Sequence, residues 1–337
     1  MPSDRSPKSP ITPAQRAAAR ASRQRMIERA RRRNRPLWVY RLHTAIILPI
    51  TWLLRALPVD AASGLGGWIA RRLIPLFAKK TEIRATMRVP FPALTDSEAD
   101  ALTREMSENV GRVLGESLHL GAFAGPDNPR LVLDGIEHVE AARAGGRGVL
   151  FLGGHFANWE LFEVALATLG LRGAKVLQHP SNPFVLEQIA RDRYAHGLDE
   201  QIATGEGVFT RVRDALGAGR VVQMLADQRT RKGVRAPFCG LDTTTNAVPA
   251  RVARETGAPV VLMSIRRTGT ARFAVIFHPP RQFTLQDDEA AIMGWVNSFY
   301  EAELRAAPGQ WLWGHPRWYD AQHNEPAQPL VTPPLAG

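Results

Sequence analysis

The chain of 337 residues is 45% apolar and 22% charged, which suffices for one large domain or two modest ones and excludes a collagen-like or fully disordered chain. Its single cysteine, Cys239, excludes a disulfide framework and any site built from several thiolates of one chain. The net charge of +11 is concentrated near the N-terminus, because residues 1–36 carry eleven Lys and Arg against two Asp and Glu.

The N-terminal arm, residues 1–36, begins rich in proline and serine and continues into an Ala- and Arg-rich stretch without an apolar stripe. We expect a disordered tail, since such a composition cannot bury a core. Clustered arginines suit either the phosphates of a nucleic acid or an anionic membrane leaflet. A solvated arm without a defined ligand is the alternative, so the segment that follows decides how the arm is interpreted.

Two apolar stretches follow the arm and form a predicted segment at 37–80. The first, at 37–57, has an uncharged apolar centre at 44–54 that is only 11 residues long. Because a membrane span needs about 20 apolar residues, we predict an amphipathic helix that lies in the membrane interface. The stretch at 65–77 has the same character, and two ordinary core helices are the alternative. A basic arm followed by such helices favours a membrane surface over DNA.

The body of the chain, residues 81–322, alternates strand and helix patterns, and 323–337 is a second predicted tail. Apolar runs between glycines or charges are typical of strands buried on both faces. Strands are predicted at 131–133, 148–152, 174–177, 221–226, 260–265 and 272–278, and helices at 97–120, 161–169, 185–194, 247–255 and 288–306. This alternation predicts an α/β fold with a largely parallel central sheet flanked by helices.

The candidate site follows the second predicted strand, where Gly153 and Gly154 precede His155, and Glu160 stands five residues later at a predicted helix start. In α/β proteins ligands gather at the carboxyl ends of strands. A histidine is suited to take up a proton near neutral pH, and a carboxylate on its other ring nitrogen would fix its tautomer. The alternative is a loop histidine satisfied by backbone groups and a glutamate that only stabilises the helix N-terminus.

The segment GRGVLFLGGHFANWE resembles the HxxxxE/D segment of the lipid A late acyltransferases, the lauroyl/myristoyl acyltransferase family, which are related to the glycerolipid HxxxxD acyltransferases. Four further blocks resemble the family in the same order and extend the likeness over about 37–320. They are Ser181-Asn182-Pro183 with Arg191 and Arg193, Leu225-Ala226-Asp227-Gln228 with the Pro237-Phe238-Cys239-Gly240 turn, 250–260, and Trp311-Leu312-Trp313-Gly314-His315. The chain departs from the family pattern at Gln178-His179, at Pro316, and in its basic extension of 36 residues, which is longer than is usual in the family.

The resemblance implies transfer of a fatty acyl group from acyl carrier protein to a hydroxyl of a lipid A precursor, without an acyl-enzyme. It implies His155 as general base with Glu160 as its partner, and Arg193 as the stabiliser of the oxyanion or of a phosphorylated acceptor. Arg191, Asn182, Asp227 and Gln228 are the implied substrate-binding residues, although Asp227 and Gln228 could instead orient His155 or serve the structure.

The expected partners are acyl carrier protein, a lipid A precursor or related lipid, and an anionic membrane surface, with no nucleic acid, metal or cofactor. The expected location is the cytoplasmic face of the bacterial inner membrane, as a peripheral or monotopic protein or one with a single anchor. Two alternatives stay open at this point. The acceptor could be a glycerolipid or another lipid, or the chain could be a nonenzymatic protein that binds lipid or nucleic acid through its basic arm.

Overall fold

A computed structural model describes residues 37–178, 198–205, 207–230 and 233–318, together with the isolated Pro13. The predicted tails at 1–36 and 323–337 and the predicted helix at 185–194 lie outside the described residues, apart from Pro13. Within the described part, a seven-stranded sheet forms the centre of an α/β body.

The central sheet is mostly parallel, as the sequence predicts. Its strands are β1 (Leu131–Asp134), β2 (Val149–Gly153), β3 (Gly173–Leu177), β4 (Leu198–Ala203), β5 (Val221–Leu225), β8 (Val260–Gly269) and β9 (Arg272–Phe277). They are ordered β1-β9-β8-β2-β5-β3-β4, and only the β8–β9 neighbours are antiparallel. A separate antiparallel hairpin is formed by β6 (Val234–Phe238) and β7 (Leu241–Thr245).

Strand β2 occupies the middle of the sheet, and all five of its residues are buried. This explains its uninterrupted apolar sequence, because a strand covered by helices on both faces has no polar side to present. Its last residue, Gly153, is paired with Leu225 at the end of β5. The residues that follow these two strands therefore emerge side by side at one edge of the sheet.

Nine α-helices are described in the same part of the chain. They are α1 (Leu37–Ala56), α2 (Val59–Phe77), α3 (Lys80–Met87), α4 (Asp96–Glu116), α5 (Ile136–Arg143), α6 (Leu161–Thr168), α7 (Val208–Gly217), α8 (Val248–Thr256) and α9 (Glu289–Ala306). Helix α4 begins with a capping box, in which the Thr95 hydroxyl accepts from the Glu98 N–H while the Glu98 carboxylate accepts from the Thr95 N–H.

Helix α2 packs its small residues inward and leaves its large apolar residues outside. Ala62, Ser63, Gly67 and Ala70 are buried against α4, whereas Trp68 is 56% exposed. The alternative of an ordinary core helix predicts the opposite arrangement. Within the described residues, no helix combines the length and the apolar character that crossing a membrane requires.

Candidate active site

His155 lies at the edge of the sheet where β2 and β5 end together. The two glycines before it leave room for aromatic rings, since a Cβ on Gly153 would lie 2.4 Å from the Phe162 ring and one on Gly154 would lie 2.7 Å from the Phe156 ring. Asp227 follows β5 by two residues. Because β2 and β5 are parallel neighbours, His155 and Asp227 meet although they are 72 residues apart in sequence.

Asp227 binds His155 through both carboxylate oxygens. Its Oδ1 lies 2.7 Å from the Nδ1 of His155, and its Oδ2 accepts from the backbone N–H of the same residue at 2.9 Å. The indole N–H of Trp311 donates to Oδ2 at 2.8 Å. Burial alone would raise the pKa of this carboxyl, but the charge of His155 and these hydrogen bonds outweigh burial and hold the pKa below its usual value.

The contacts of Asp227 define which nitrogen of His155 is available. Since the carboxylate is ionised at neutral pH, Nδ1 carries the proton and donates to it, which leaves the lone pair on Nε2. Nε2 has no hydrogen-bond partner within the described part of the chain, and the His155 side chain is 18% exposed. The Trp159 ring packs beside the imidazole with a centroid separation of 5.2 Å. The arrangement suits a general base that faces an incoming hydroxyl.

Glu160 is not the partner of Nδ1, so the sequence-based pairing with His155 is corrected. Glu160 stands at the N-cap position of α6 without a side-chain capping bond, and its Oε2 lies 3.2 Å from the Nζ of Lys175 on β3. Lys175 is buried and also contacts the Oε1 of Glu163 at 2.5 Å. The five-residue spacing places Glu160 on the neighbouring helix start, whereas the sheet register brings Asp227 to the imidazole.

The loop that carries His155 is fastened by backbone contacts to the segment that follows α9. The N–H of Leu312 donates to the His155 carbonyl at 3.1 Å, and the N–H of Ala157 donates to the Gln310 carbonyl at 2.9 Å. Ala157 has a φ of +43°, a conformation that a non-glycine residue holds only when its surroundings enforce it. The Asn109 side chain on α4 supplies a further restraint by donating to the Ala157 carbonyl at 3.0 Å.

A buried ion pair between Glu116 and Arg267 also contacts the loop that carries His155. Glu116, at the end of α4, accepts from both terminal nitrogens of Arg267 on β8. The same carboxylate accepts from the Asn158 amide at 3.1 Å and from the Ser63 hydroxyl of α2 at 2.7 Å. Because every one of these groups is satisfied, the pair holds the loop of His155, the sheet and α2 at fixed positions.

Trp311 is a contact of the candidate site that the sequence analysis does not single out. The segment Trp311-Leu312-Trp313-Gly314-His315 enters the sequence analysis only through its resemblance to the family. Tryptophans in such a segment are most simply interpreted as residues that pack in the core. The indole also stacks on Phe156 with centroids 6.2 Å apart. In the same block, desolvation by the surrounding protein lowers the pKa of His315, and the nearby His155 lowers it further. His315 therefore belongs to the surroundings of the site.

The other predicted site residues fall into two groups. Asn182, Arg191 and Arg193 lie outside the described residues. Gln228 is half-buried and follows Asp227 directly in the chain. Across the described ranges, no group of three or more His, Cys, Asp or Glu side chains is arranged to hold a metal ion.

Cys239 lies in the turn between β6 and β7, where its N–H donates to Glu301 on α9 at 2.9 Å. Burial and the charge of Glu301 raise the pKa of the Cys239 thiol to about 12. This thiol is protonated at neutral pH and is unsuited to act as a nucleophile.

Comparison with known proteins shows the family of the chain. The family model described as bacterial lipid A biosynthesis acyltransferase matches residues 34–320. A lipid A biosynthesis palmitoleoyltransferase from Escherichia coli strain K12 is 26% identical over 281 residues, which is 80% of this chain and 89% of the relative. The lipid A biosynthesis lauroyltransferase of the same strain is 25% identical over 293 residues, or 83% of this chain and 92% of the relative.

A third relative has a different name. A phosphatidylinositol mannoside acyltransferase from Mycobacterium tuberculosis strain H37Rv is 24% identical over 283 residues, which is 75% of this chain and 86% of the relative. All three relatives are acyltransferases by name, and the family resemblance inferred from the sequence motifs is confirmed. The chain is an acyltransferase and belongs to the bacterial lipid A biosynthesis acyltransferase family.

Proposed function

We propose that this enzyme moves a fatty acyl chain from a thioester donor to a hydroxyl of a lipid acceptor, with His155 as the general base. The observation that carries the proposal is the hydrogen bond between Nδ1 of His155 and the buried Asp227 carboxylate, which leaves Nε2 without a partner within the described residues. Asp227 takes the orienting role that the sequence assigned to Glu160.

The proposed reaction needs no acyl-enzyme. Nε2 of His155 removes the proton of the acceptor hydroxyl as the oxygen attacks the thioester carbonyl, and a tetrahedral intermediate forms. The C–S bond then breaks, the acyl group stays on the acceptor as an ester, and the imidazolium returns its proton to the thiolate. Asp227 stabilises the imidazolium between these steps. The pKa of about 12 at Cys239 supports direct transfer, since the chain has no other thiol.

Glu160 keeps a role in this proposal, although a different one. Its ion pair with Lys175 fixes the start of α6 against β3, and the adjacent Trp159 packs on the His155 ring. We therefore assign Glu160 as a positioning residue. Arg193 remains the proposed stabiliser of the oxyanion or of an acceptor phosphate, with Arg191 and Asn182 beside it in sequence, and Gln228 is a proposed substrate contact.

We propose acyl carrier protein as the donor and a lipid A precursor as the acceptor. The family resemblance supports the donor, and the two Escherichia coli relatives named for lipid A biosynthesis support the acceptor. The relative named for phosphatidylinositol mannoside supports a second candidate, a different membrane lipid with a free hydroxyl. We further propose peripheral association with the cytoplasmic face of the inner membrane, which the exposed apolar side chains of α2 support.

The experiment that tests this function is mass spectrometry of the lipids from a strain whose own copy of the gene is deleted. The deletion should remove one acyl chain from a lipid A species, and the native gene should restore it. The His155→Ala gene should fail to restore it, while the matched control His138→Ala, changed on α5, should restore it. A glycerolipid or glycolipid that loses the acyl chain instead would identify the second acceptor. Full restoration by His155→Ala would refute the chemistry.

A further inference from the structure

The outer face of α2 presents a continuous apolar surface. Residues spaced three and four apart are exposed along its length, which is the pattern of one helix face. The exposed large side chains are Leu65, Trp68, Ile69, Leu73, Leu76 and Phe77. In water such an exposed apolar face costs free energy.

An arginine-rich depression of about 560 Å³ borders this face, between α2 and α4. Trp68 belongs to both surfaces, because it is exposed on the apolar face and lines the depression. The charged residues that line the depression are Arg71, Arg72, Arg104, Glu108 and Arg112. On α4 the charged residues follow each other at intervals of four, so they project from one side of the helix.

The charges of the depression do not balance. Glu108 is shared by two arginines, since Arg71 lies 2.9 Å from its Oε2 and Arg112 lies 2.7 Å from its Oε1. Burial would raise the pKa of Glu108, but the hydrogen bond and charge of Arg112 and the charge of Arg71 lower it overall, so the carboxylate is ionised. One negative charge therefore faces four positive ones.

Two of the arginines have no carboxylate partner within the described residues. The Arg72 guanidinium lies over the Trp68 ring, 4.2 Å from its centroid, and donates to the Trp68 carbonyl at 3.2 Å. Arg104 is exposed, and its side chain makes no ion pair or hydrogen bond to another described residue. A guanidinium offers paired N–H donors that match the oxygens of a phosphate.

We propose that this depression binds the phosphate headgroup of an anionic phospholipid, whose acyl chains lie against the apolar face of α2. Only an amphiphile satisfies both neighbouring surfaces at once, because a free phosphate would leave the apolar face in water. The site would set the depth and rotation of α2 at the membrane. This inference rests on the proposed association with the membrane and is independent of the proposed chemistry at His155.

The test measures binding of the purified full-length protein to vesicles without donor or acceptor. The variant is Arg72→Gln/Arg104→Gln, which leaves both ion pairs of Glu108 intact. The control is Arg143→Gln/Arg147→Gln, which removes the same charge from exposed positions at the end of α5 and the following loop. The vesicles are phosphatidylcholine alone or phosphatidylcholine with phosphatidylglycerol. Circular dichroism establishes that each variant is folded.

The expected result is about a tenfold weaker partition of Arg72→Gln/Arg104→Gln onto the anionic vesicles, with the control within about twofold of wild type. Partition onto phosphatidylcholine should be the same for all three proteins. Added inorganic phosphate at constant ionic strength should not displace the wild type.

Any of five outcomes would overturn the proposal. Equal losses in the variant and the control would show a general charge effect, and equal loss on neutral vesicles would show that the apolar face alone was damaged. Displacement by inorganic phosphate would identify a site for free anions. Unchanged binding of Arg72→Gln/Arg104→Gln to the anionic vesicles would show that the depression contacts no phospholipid headgroup. If the wild-type protein bound no vesicles at all, both this proposal and the proposed membrane association would be wrong. The His155→Ala variant should bind vesicles as the wild type does, because the proposed chemistry is independent of this site.

Discussion

Three segments that are distant in sequence meet at one carboxylate. Asp227 accepts hydrogen bonds from the backbone N–H and the ring of His155 and from the indole N–H of Trp311. Each of these donors is therefore held in place by the negative charge of this carboxylate. A buried carboxylate with this many donors is stable as an anion. The orientation of His155 therefore depends on Asp227 more than on any other side chain described in the site.

Two isosteric variants test whether Asp227, and not Glu160, orients His155. Asp227→Asn removes the charge and offers an amide to Nδ1, so the imidazole loses its orienting acceptor, and we expect kcat to fall by about 10²–10⁴. Glu160→Gln leaves Glu163 to pair with Lys175, and we expect a loss of about tenfold or less. The measurement is the initial rate of acyl transfer in detergent. The reverse order of the two losses would reinstate Glu160 as the partner.

Cys239 provides a prediction about pH. Because the thiol pKa is raised from its ordinary value of 9.0 to about 12, the native thiol is protonated at pH 8. The thiolate fraction should be about 10³ lower than in the unfolded chain, so iodoacetamide should label the protein only in denaturant. Mass spectrometry of the intact protein follows the labelling. Rapid alkylation of the folded enzyme at pH 8 would contradict this assignment.

At the scale of elements, the crossing of α2 and α4 depends on glycine. A Cβ on Gly111 of α4 would lie 2.1 Å from the Gly66 carbonyl oxygen and 2.4 Å from the Ala70 Cβ. Such distances are shorter than any nonbonded contact, so only glycine permits this separation of the helices. The close approach also brings Ser63 of α2 within 2.7 Å of Glu116, which supports the catalytic loop.

The glycine crossing predicts opposite effects for two identical changes. Gly111→Ala should lower the free energy of unfolding by about 1–3 kcal/mol, because the helices must move apart. Gly64→Ala on α2 meets nothing within 4 Å and should be neutral or stabilising by up to about 1 kcal/mol, since alanine favours a helix. Thermal unfolding followed by circular dichroism compares them. A Tm for Gly111→Ala at or above that of wild type would show that the crossing is looser than described.

Elements with strong local patterns were predictable from the sequence. Strand β2 is a continuous apolar run, β5 is apolar apart from Gln223, and β8 begins with four apolar residues. The pattern predicts the start of α9 to within one residue, where Asp288 accepts from the Ala291 N–H. The β6–β7 hairpin was not predicted, because Pro237 and a run of threonines give no apolar alternation. Strand β4, with the sequence LDEQIA, also lacks the pattern, since it lies at the edge of the sheet.

The candidate site was predictable in part for a related reason. His155 follows a buried strand and a glycine pair, which are local signals. Its pairing with Asp227 depends on the lateral order of β2 and β5, and the donation from Trp311 depends on a chain segment 84 residues further on. Such contacts are tertiary, so local spacing favoured the nearer Glu160. Lys175, in the middle of a buried strand, gave no signal of an ion pair.

At the scale of the whole molecule, one buried carboxylate joins the catalytic loop to the helix with the exposed apolar face. Glu116 accepts from Asn158 on the loop and from Ser63 on α2, and Arg267 fixes it to the sheet. The proposed membrane contact and the proposed chemistry thus share a rigid support. A lipid acceptor that remains partly in the bilayer needs such a fixed relation between the membrane surface and the base.

The most direct measurement of the central claim is the rate of acyl transfer by purified His155→Ala, with a long-chain acyl thioester of acyl carrier protein and a lipid acceptor in detergent. We predict that kcat falls by about 10²–10⁴ while circular dichroism is unchanged, and that His138→Ala stays within about twofold of wild type. A folded His155→Ala enzyme that keeps more than about a tenth of the wild-type kcat would contradict the role of His155 as the general base.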